Sequence, residues 1–252
     1  MHFGDRKKLR SKIVCSFLLF VISLAVGVLA AIVMEHCVQA MQRETQIGNV
    51  HTGYRAASAS GGKQSDELAK KVALTFDDGP NPDYTPELLD ELKKRGVPAT
   101  FFVLGAEVEQ YPELVRRASE EGHLIGVHSY KHVNLRQLSD QQAVEQVNRT
   151  NEAIHAACGQ YASYIRPPYG CWKEDLDYEV QMVEVLWDID PRDWATTSAD
   201  LVVQRVLQDV EENSIILLHD ASESSVRAAC MIIDQLQAQG YTFVTVEELL
   251  ME

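Results

Sequence analysis

The sequence predicts an α/β fold in which a parallel sheet, covered by helices, curves into a barrel related to the TIM fold. From about residue 71, short apolar runs typical of buried strands alternate with segments typical of helices, and the connections between them are short. About seven such strands are present, which suits a (β/α) barrel with one strand missing. An apolar run near the N-terminus predicts one transmembrane helix ahead of this domain.

Residues 1–34 are predicted to be a cytoplasmic tail and a transmembrane signal-anchor. Basic residues at 6–12 precede the uncharged apolar run 13–34, which is long enough to cross a bilayer, since crossing needs roughly 20 residues. Basic residues on this side predict a cytoplasmic N-terminus, so we expect a single-pass cell-membrane protein whose remaining chain is extracytoplasmic. The alternative is a signal peptide with cleavage near Ala40, which would give a secreted protein.

Residues 35–70 are predicted to be a flexible stalk, and residues 71–252 a globular domain. The stalk contains the stretch GYRAASASGGKQSDE, which is small, polar and without apolar periodicity. Beyond residue 34 the chain carries 18 basic and 36 acidic residues. A surface this acidic argues against nucleic acid as a partner.

Strands are predicted where apolar runs of strand length lie between turn residues. In chain order they are KVALTF, ATFFVLG, HLIGVHS, ASYIRPP, VEVLWDID, SIILLHD and YTFVTVEE. Helices are predicted at 85–96, 111–122, 139–159, 199–212 and 224–239. The sharpest helix starts are Thr85, as an N-cap before Pro86, and Ser139, which forms a capping box with Gln142.

Polar residues follow the ends of five of these strands. They are Asp77, Asp78, His128, His132, Arg166, Asp190, Asp193 and His219. Because the carboxyl ends of parallel strands meet on one face of a barrel, we expect these side chains to lie close together.

The stretch TFDDGP (75–80) ends the first strand with two adjacent carboxylates, which repel each other unless a positive charge is near. His128 and His132 have the spacing of metal ligands, and two histidines with one carboxylate are typical of catalytic zinc. Surface or core histidines and a solvated turn also explain each motif taken alone. Together they predict a divalent metal bound by both histidines and by Asp77 or Asp78, with the other aspartate free to act as general base.

Two further motifs suit acid–base chemistry. Arg166, in RPPYG, could pair with a catalytic carboxylate, and Tyr169 is the first residue after it with a backbone N–H to offer. His219 ends an apolar strand, where a nearby carboxylate could orient it as a general acid. A surface arginine and a core histidine are the alternatives for each motif taken alone.

Five motifs, in this order, resemble those of the polysaccharide deacetylases of carbohydrate esterase family 4, the NodB-homology domain. They are TFDDGP (75–80), HSYKH (128–132), RPPYG (166–170), DPRDW (190–194) and LLH (217–219). The resemblance covers about residues 70–252. It implies a distorted (β/α) barrel, hydrolytic removal of acetyl groups from sugars, and a divalent metal that is commonly Zn²⁺, with Co²⁺ or Mn²⁺ as alternatives.

The resemblance also implies a role for each matching residue. Asp77 matches the catalytic base that activates a water molecule at the metal, and Arg166 matches the residue that orients this base. Asp78, His128 and His132 match the metal ligands.

The remaining matches concern the leaving group and the acetyl group. His219 matches the acid that protonates the leaving amine, and Asp193 matches its partner. Tyr169 would give its backbone N–H to the oxyanion. Trp194 and Leu217 match the apolar walls around the acetyl methyl.

An anchored, extracytoplasmic domain points to a polymer near the membrane, most simply the N-acetylglucosamine of peptidoglycan. Chitin oligomers, xylan and exopolysaccharide are alternatives, and Asp78 argues mildly against the muramic sugar, because relatives specialised for it often have asparagine there. A glycosidase needs carboxylates about 5–9.5 Å apart across the bond, which adjacent Asp77 and Asp78 do not provide. The non-enzyme alternative is an inactive, anchored sugar-binding or sporulation scaffold, which the filled catalytic positions disfavour.

We predict that the chain sediments with membranes and that residues 35–252 are open to protease outside cells whose wall has been removed. The basic flank of the apolar run should keep the N-terminus inside. Cell fractionation with added protease checks this, with a cytosolic protein as the control. A soluble mature form that begins near Met41 would instead mean cleavage at Ala40.

Overall fold

The computed structural model describes residues 70–173, 176 and 180–251. The predicted anchor at 13–34, the cleavage site near Ala40 and the predicted stalk up to residue 69 lie outside this part of the chain. Among the described residues, no helix has the length and apolar character needed to cross a membrane.

Strands and helices alternate through the described residues, as the sequence predicts. The strands are β1 Lys70–Asp77, β2 Thr100–Val103, β3 Leu124–Val127, β4 Tyr164–Ile165, β5 Val183–Glu184, β6 Ile215–His219 and β7 Tyr241–Val244. The helices are α1 Thr85–Arg95, α2 Gly105–Gln110, α3 Pro112–Glu120, α4 Asp140–Cys158, α5 Ala199–Asp209, α6 Glu223–Ala238 and α7 Val246–Leu250. Short 3₁₀ turns lie at Leu135–Gln137, Pro168–Gly170 and Asp193–Ala195.

The seven strands form one parallel sheet in the order β5-β4-β3-β2-β1-β6, and β7 also pairs with β1. On β1, Thr75 lies beside Thr100 of β2 and Leu217 of β6. A bridge between Ile189 and Ile216 brings the segment after β5 back to β6, so the sheet curls towards closure. The expected parallel α/β fold is confirmed. The sheet is curled, and a single β-bridge stands where a closed barrel would have a further strand.

Both faces of β1 are buried, which explains why its sequence is an almost continuous apolar run. Leu74 and Phe76 belong to the large core shared with the helices. Ala73 points to the other face, where it packs with Phe102 and Val246 in the interior of the curled sheet. Because side chains alternate along a strand, Asp77 shares this interior face.

Of the predicted elements that differ from the structure, three are explained by its contacts. VEVLWDID is a strand only at Val183–Glu184, because the carbonyls of Val185 and Leu186 accept hydrogen bonds from the Arg166 side chain. YTFVTVEE is a strand only as far as Val244, since Thr245 caps a new helix, α7.

The third difference concerns the start of α1. Thr85 is the first helical residue and not the N-cap, and Tyr84 takes the cap position without a side-chain hydrogen bond. The Thr85 hydroxyl donates instead to the carboxylate of Asp220. The capping box predicted for α4, between Ser139 and Gln142, is confirmed.

Candidate active site

The ends of neighbouring strands deliver the predicted site residues to one edge of the sheet. Asp77 is the last residue of β1 and His219 the last of β6, and the two are direct partners in the β1–β6 ladder. His128 follows the end of β3, and Arg166 follows the end of β4. The expected convergence at the carboxyl ends of the strands is therefore found.

Arg166 is fully buried, and its guanidinium pairs with the first aspartate of TFDDGP. Nη1 donates to Asp77 Oδ1 at 2.8 Å and to Thr75 Oγ1 at 2.7 Å. Nε and Nη2 donate to the carbonyls of Val185 and Leu186 at 3.0 and 2.9 Å. A buried ion pair is tolerated when its remaining donors are satisfied in this way. Oδ1 of Asp77 is thus hydrogen-bonded to Arg166.

The second aspartate faces the two histidines. Asp78 Oδ1 lies 3.5 Å from His128 Nε2 and 3.4 Å from His132 Nε2, and it has no hydrogen-bond partner among the described residues although it is buried. Ligands about 2.0–2.2 Å from a tetrahedral metal lie about 3.3–3.6 Å apart, so these separations fit a bound cation. Asp78, His128 and His132 could therefore hold a metal ion.

His128 is oriented by the backbone of Arg166. Its Nδ1 lies 2.6 Å from the Arg166 carbonyl oxygen, which can only accept, so Nδ1 carries the proton and Nε2 presents its lone pair to the site. Burial lowers the pKa of His128 and favours the neutral ring. A second hydrogen bond of this kind is typical of metal-binding histidines. Arg166 thus supports both a candidate metal ligand and the predicted base.

The backbone around the site is strained. Five non-glycine residues here have positive φ angles, between 53° and 75°: Asp78, Ser129, His132, Tyr169 and Arg192. Such conformations cost of order 1–3 kcal/mol each and cluster at functional sites. This strain redirects side chains that a regular strand or helix would point elsewhere.

His219 and Asp193 form a second hydrogen-bonded pair. His219 Nδ1 lies 2.8 Å from Asp193 Oδ1, and the His219 backbone N–H donates to Asp193 Oδ2 at 2.9 Å. Burial works against the charged ring, but the hydrogen bond and charge of Asp193 outweigh it and raise the pKa of His219 to about 9. His219 Nε2 lies 4.0 Å from Asp78 Oδ2 and so faces the candidate metal site.

These groups line a cleft of about 1040 Å³. The rings of Tyr169 and Trp194 are 64% and 66% exposed in its walls, and Leu217 is buried at its base. The Tyr169 ring meets His132 edge-on at 4.7 Å. Asp190 also lines the cleft, and its Oδ1 accepts from the Arg192 N–H at 2.8 Å, which shapes the turn that carries Asp193.

Sequence reasoning missed two residues of the site. Thr75 binds Arg166, and its signal was a polar residue inside a buried apolar strand. Trp187 lines the cleft, and its ring lies 5.7 Å from the Arg166 guanidinium. Its signal was an aromatic residue close to the end of a predicted strand.

Comparison with known proteins adds the family. A family model described as polysaccharide deacetylase matches residues 64–185. PdaC of Bacillus subtilis, a peptidoglycan-N-acetylmuramic acid deacetylase, is 37% identical over 228 residues, which cover 90% of this chain and 49% of PdaC. A solved structure of PdaC has a TM-score of 0.70 and 43% identity, covering 72% of this chain and 90% of that one. This chain belongs to the polysaccharide deacetylases. The five motifs therefore identified the family correctly.

Relatives in the family differ in the substrate that their names record. PgdA of Listeria monocytogenes, a peptidoglycan-N-acetylglucosamine deacetylase, is 39% identical over 180 residues, covering 71% of this chain and 39% of PgdA. A chitooligosaccharide deacetylase of Sinorhizobium fredii is 44% identical over 156 residues, covering 60% of this chain and 73% of that protein. The chain spans half or less of the lengths of PdaC and PgdA.

We predict that His219 titrates with a pKa of about 9 in the metal-free protein. Asp193→Asn should lower this pKa by about 1–3 units, because it removes the charge that stabilises the protonated ring. NMR shifts of the ring protons against pH measure both pKa values. Asp234→Asn, which breaks the exposed ion pair between Arg95 and Asp234, is the control. An unchanged pKa in Asp193→Asn would contradict the pairing.

Proposed function

We propose that the chain is a metal-dependent hydrolase that removes acetyl groups from the N-acetylated sugars of a cell-wall polysaccharide. The observation that carries the proposal is the different environment of two adjacent carboxylates. Asp77 is paired with Arg166, whereas Asp78 faces His128 and His132 with an oxygen that has no hydrogen-bond partner among the described residues. Family membership supplies the reaction class, and these environments supply the division of roles.

The donor set of Asp78, His128 and His132 suits a divalent cation, most simply Zn²⁺, with Co²⁺ or Mn²⁺ as alternatives. When bound, such an ion would polarise the acetyl carbonyl and lower the pKa of a water molecule to roughly 7. Two histidines and one carboxylate leave coordination positions open for substrate, which is typical of catalytic sites and not of structural ones.

Asp77 acts as the general base. Its Oδ1 is held by Arg166, and its Oδ2 lies 3.8 Å from His128 Nε2, on the side of the candidate metal site. Asp77 takes a proton from the attacking water, whose oxygen forms a bond to the acetyl carbon.

His219 acts as the general acid. Held in its protonated form by Asp193, it donates a proton to the sugar nitrogen as the bond from carbon to nitrogen breaks. The products are acetate and a free amine. The backbone N–H of Tyr169 would donate to the oxyanion, while Trp194 and Leu217 would enclose the acetyl methyl group.

The substrate that we propose is peptidoglycan N-acetylglucosamine. PdaC and PgdA are named for peptidoglycan, and an anchor at 13–34 would hold an extracytoplasmic domain near that polymer. The exposed rings of Tyr169 and Trp194 suit stacking against sugar rings. Chitooligosaccharides are the second candidate because of the Sinorhizobium fredii relative, and xylan, exopolysaccharide and the muramic sugar are further outcomes of a substrate test.

Acetate release from a panel of acetylated glycans tests this function. Purified full-length protein should release acetate from peptidoglycan or chitooligosaccharides and leave glucosamine residues with free amino groups in the glycan. Release from the muramic sugar alone would reassign the substrate within peptidoglycan. No release from any glycan, with metal added, would favour the sugar-binding scaffold.

We predict that Asp77→Asn and Asp78→Ala fail in different ways. Asp77→Asn should keep the metal but lose about 10²–10⁴-fold in turnover, because an amide cannot accept the proton from water. Asp78→Ala should lower metal affinity, and added metal should partly rescue it. Metal content and kcat, measured for each variant, check this prediction. The controls are wild-type protein treated with a chelator and the same protein after zinc, cobalt or manganese is added back.

Two results would overturn this assignment. Loss of metal from Asp77→Asn with retention in Asp78→Ala would mean that the two roles are reversed. Full activity in rigorously metal-free wild type would rule out a metal-dependent reaction.

The role of His219 predicts a dependence on the leaving group. His219→Ala should keep its metal and lose most turnover on an N-acetylated sugar, because the amine would leave unprotonated. The loss should be smaller on an acetate ester with a good leaving group, which needs less proton donation. Measuring kcat on both substrates separates the two cases, and an equal loss on both would exclude His219 as the acid.

A further inference from the structure

Asp220 is a buried carboxylate that the reaction described above does not use. It follows His219 directly, and only 1% of its surface is exposed. Its Oδ2 accepts a hydrogen bond from the Thr85 hydroxyl, whereas Oδ1 is buried and has no partner in the described part of the chain. Burial raises the pKa of Asp220 to about 6. Burying such a group is unfavourable, so its contacts need a physical reason.

The reason lies in the turn that follows the two aspartates of TFDDGP. The Asp220 carboxylate packs directly against Gly79, and a Cβ atom at position 79 would lie 2.5 and 2.6 Å from its two oxygens. Gly79 is the residue next to Asp78, whose φ is 75°. Any side chain at position 79 would therefore collide with the Asp220 carboxylate.

Two further contacts fix the same turn. The Thr85 hydroxyl, which donates to Asp220, accepts a hydrogen bond from the Asn81 backbone N–H at 2.7 Å. The Gly79 carbonyl accepts from the Leu104 N–H at 2.9 Å. Residues 79–81 are thus held by Asp220 and Thr85 on one side and by Leu104, the residue after β2, on the other. This explains why Thr85 does not cap its helix.

We propose that Asp220 is a positioning residue that holds Asp78 in its metal-binding orientation by supporting Gly79 and, through Thr85, Asn81. Asp220 is not among the described residues that line the cleft. Its acceptor oxygen directs the Thr85 hydroxyl so that this hydroxyl can receive the Asn81 N–H. An apolar residue of similar size could fill the space against Gly79 but could not direct the hydroxyl. The role rests on the proposed metal centre.

Zinc affinity of the full-length chain, measured by competition with a colorimetric chelator, tests this role without relying on activity. Asp220→Ala and Thr85→Val should each weaken zinc binding about 10–100-fold, the range seen when outer partners of metal ligands are removed. Asp220→Asn should keep wild-type affinity, because its amide oxygen still accepts from Thr85. Thr100→Val is the matched control: Thr100 is also fully buried, but its hydroxyl accepts from the Val246 N–H at 3.1 Å and not from residues 79–81.

Thermal unfolding of the metal-free variants, measured alongside zinc affinity, shows whether each variant folds. If Asp220→Ala does not fold, the affinity of Thr85→Val tests the proposal. Wild-type affinity in Thr85→Val, or an equal loss in Thr100→Val, would overturn the proposal. An equal loss in Asp220→Asn and Asp220→Ala would show that the charge matters and not the position, which also overturns it. Wild type that releases acetate but binds no zinc would refute the metal centre and this role, while leaving deacetylation standing.

Discussion

The guanidinium of Arg166 is buried inside the curled sheet, and its hydrogen bonds organise the groups around it. Its side chain joins Thr75 and Asp77 of β1 to the backbone after β5, and its own carbonyl orients His128. Removing one member of a buried ion pair typically costs about 3–5 kcal/mol, because the other charge is left unpaired. The fold therefore depends on the same residue that positions the proposed base, Asp77, and sets the tautomer of His128, a candidate metal ligand.

This arrangement also explains how two adjacent carboxylates can do different work. Along a regular strand, Asp78 would point away from Asp77, towards the helices. The left-handed backbone at Asp78 turns its side chain back to His128 and His132, while Asp77 stays in the extended strand beside Arg166. The left-handed backbone at one residue thus separates the proposed metal ligand from the proposed base at adjacent positions of the chain.

Much of this could be predicted from the sequence, because strand-end motifs place their side chains by topology alone. Asp77 and His219 are 142 positions apart, yet parallel pairing of β1 with β6 makes them neighbours. What could not be predicted depends on contacts between distant segments. Arg166 takes the carbonyls that would have extended β5, and Asp220 takes the hydroxyl that would have capped α1. In both cases hydrogen bonds to a buried ionisable side chain replace the local structure that the sequence pattern predicts, a longer strand in one case and a helix N-cap in the other.

The division of roles between the two aspartates can be tested most directly by locating the metal. Anomalous diffraction from zinc-loaded crystals would show whether the ion lies about 2.0–2.2 Å from Asp78 and from Nε2 of His128 and His132. We expect this position, with Asp77 outside the coordination sphere and still paired with Arg166. An ion bound by Asp77 in place of Asp78, with the Arg166 pair broken, would contradict it.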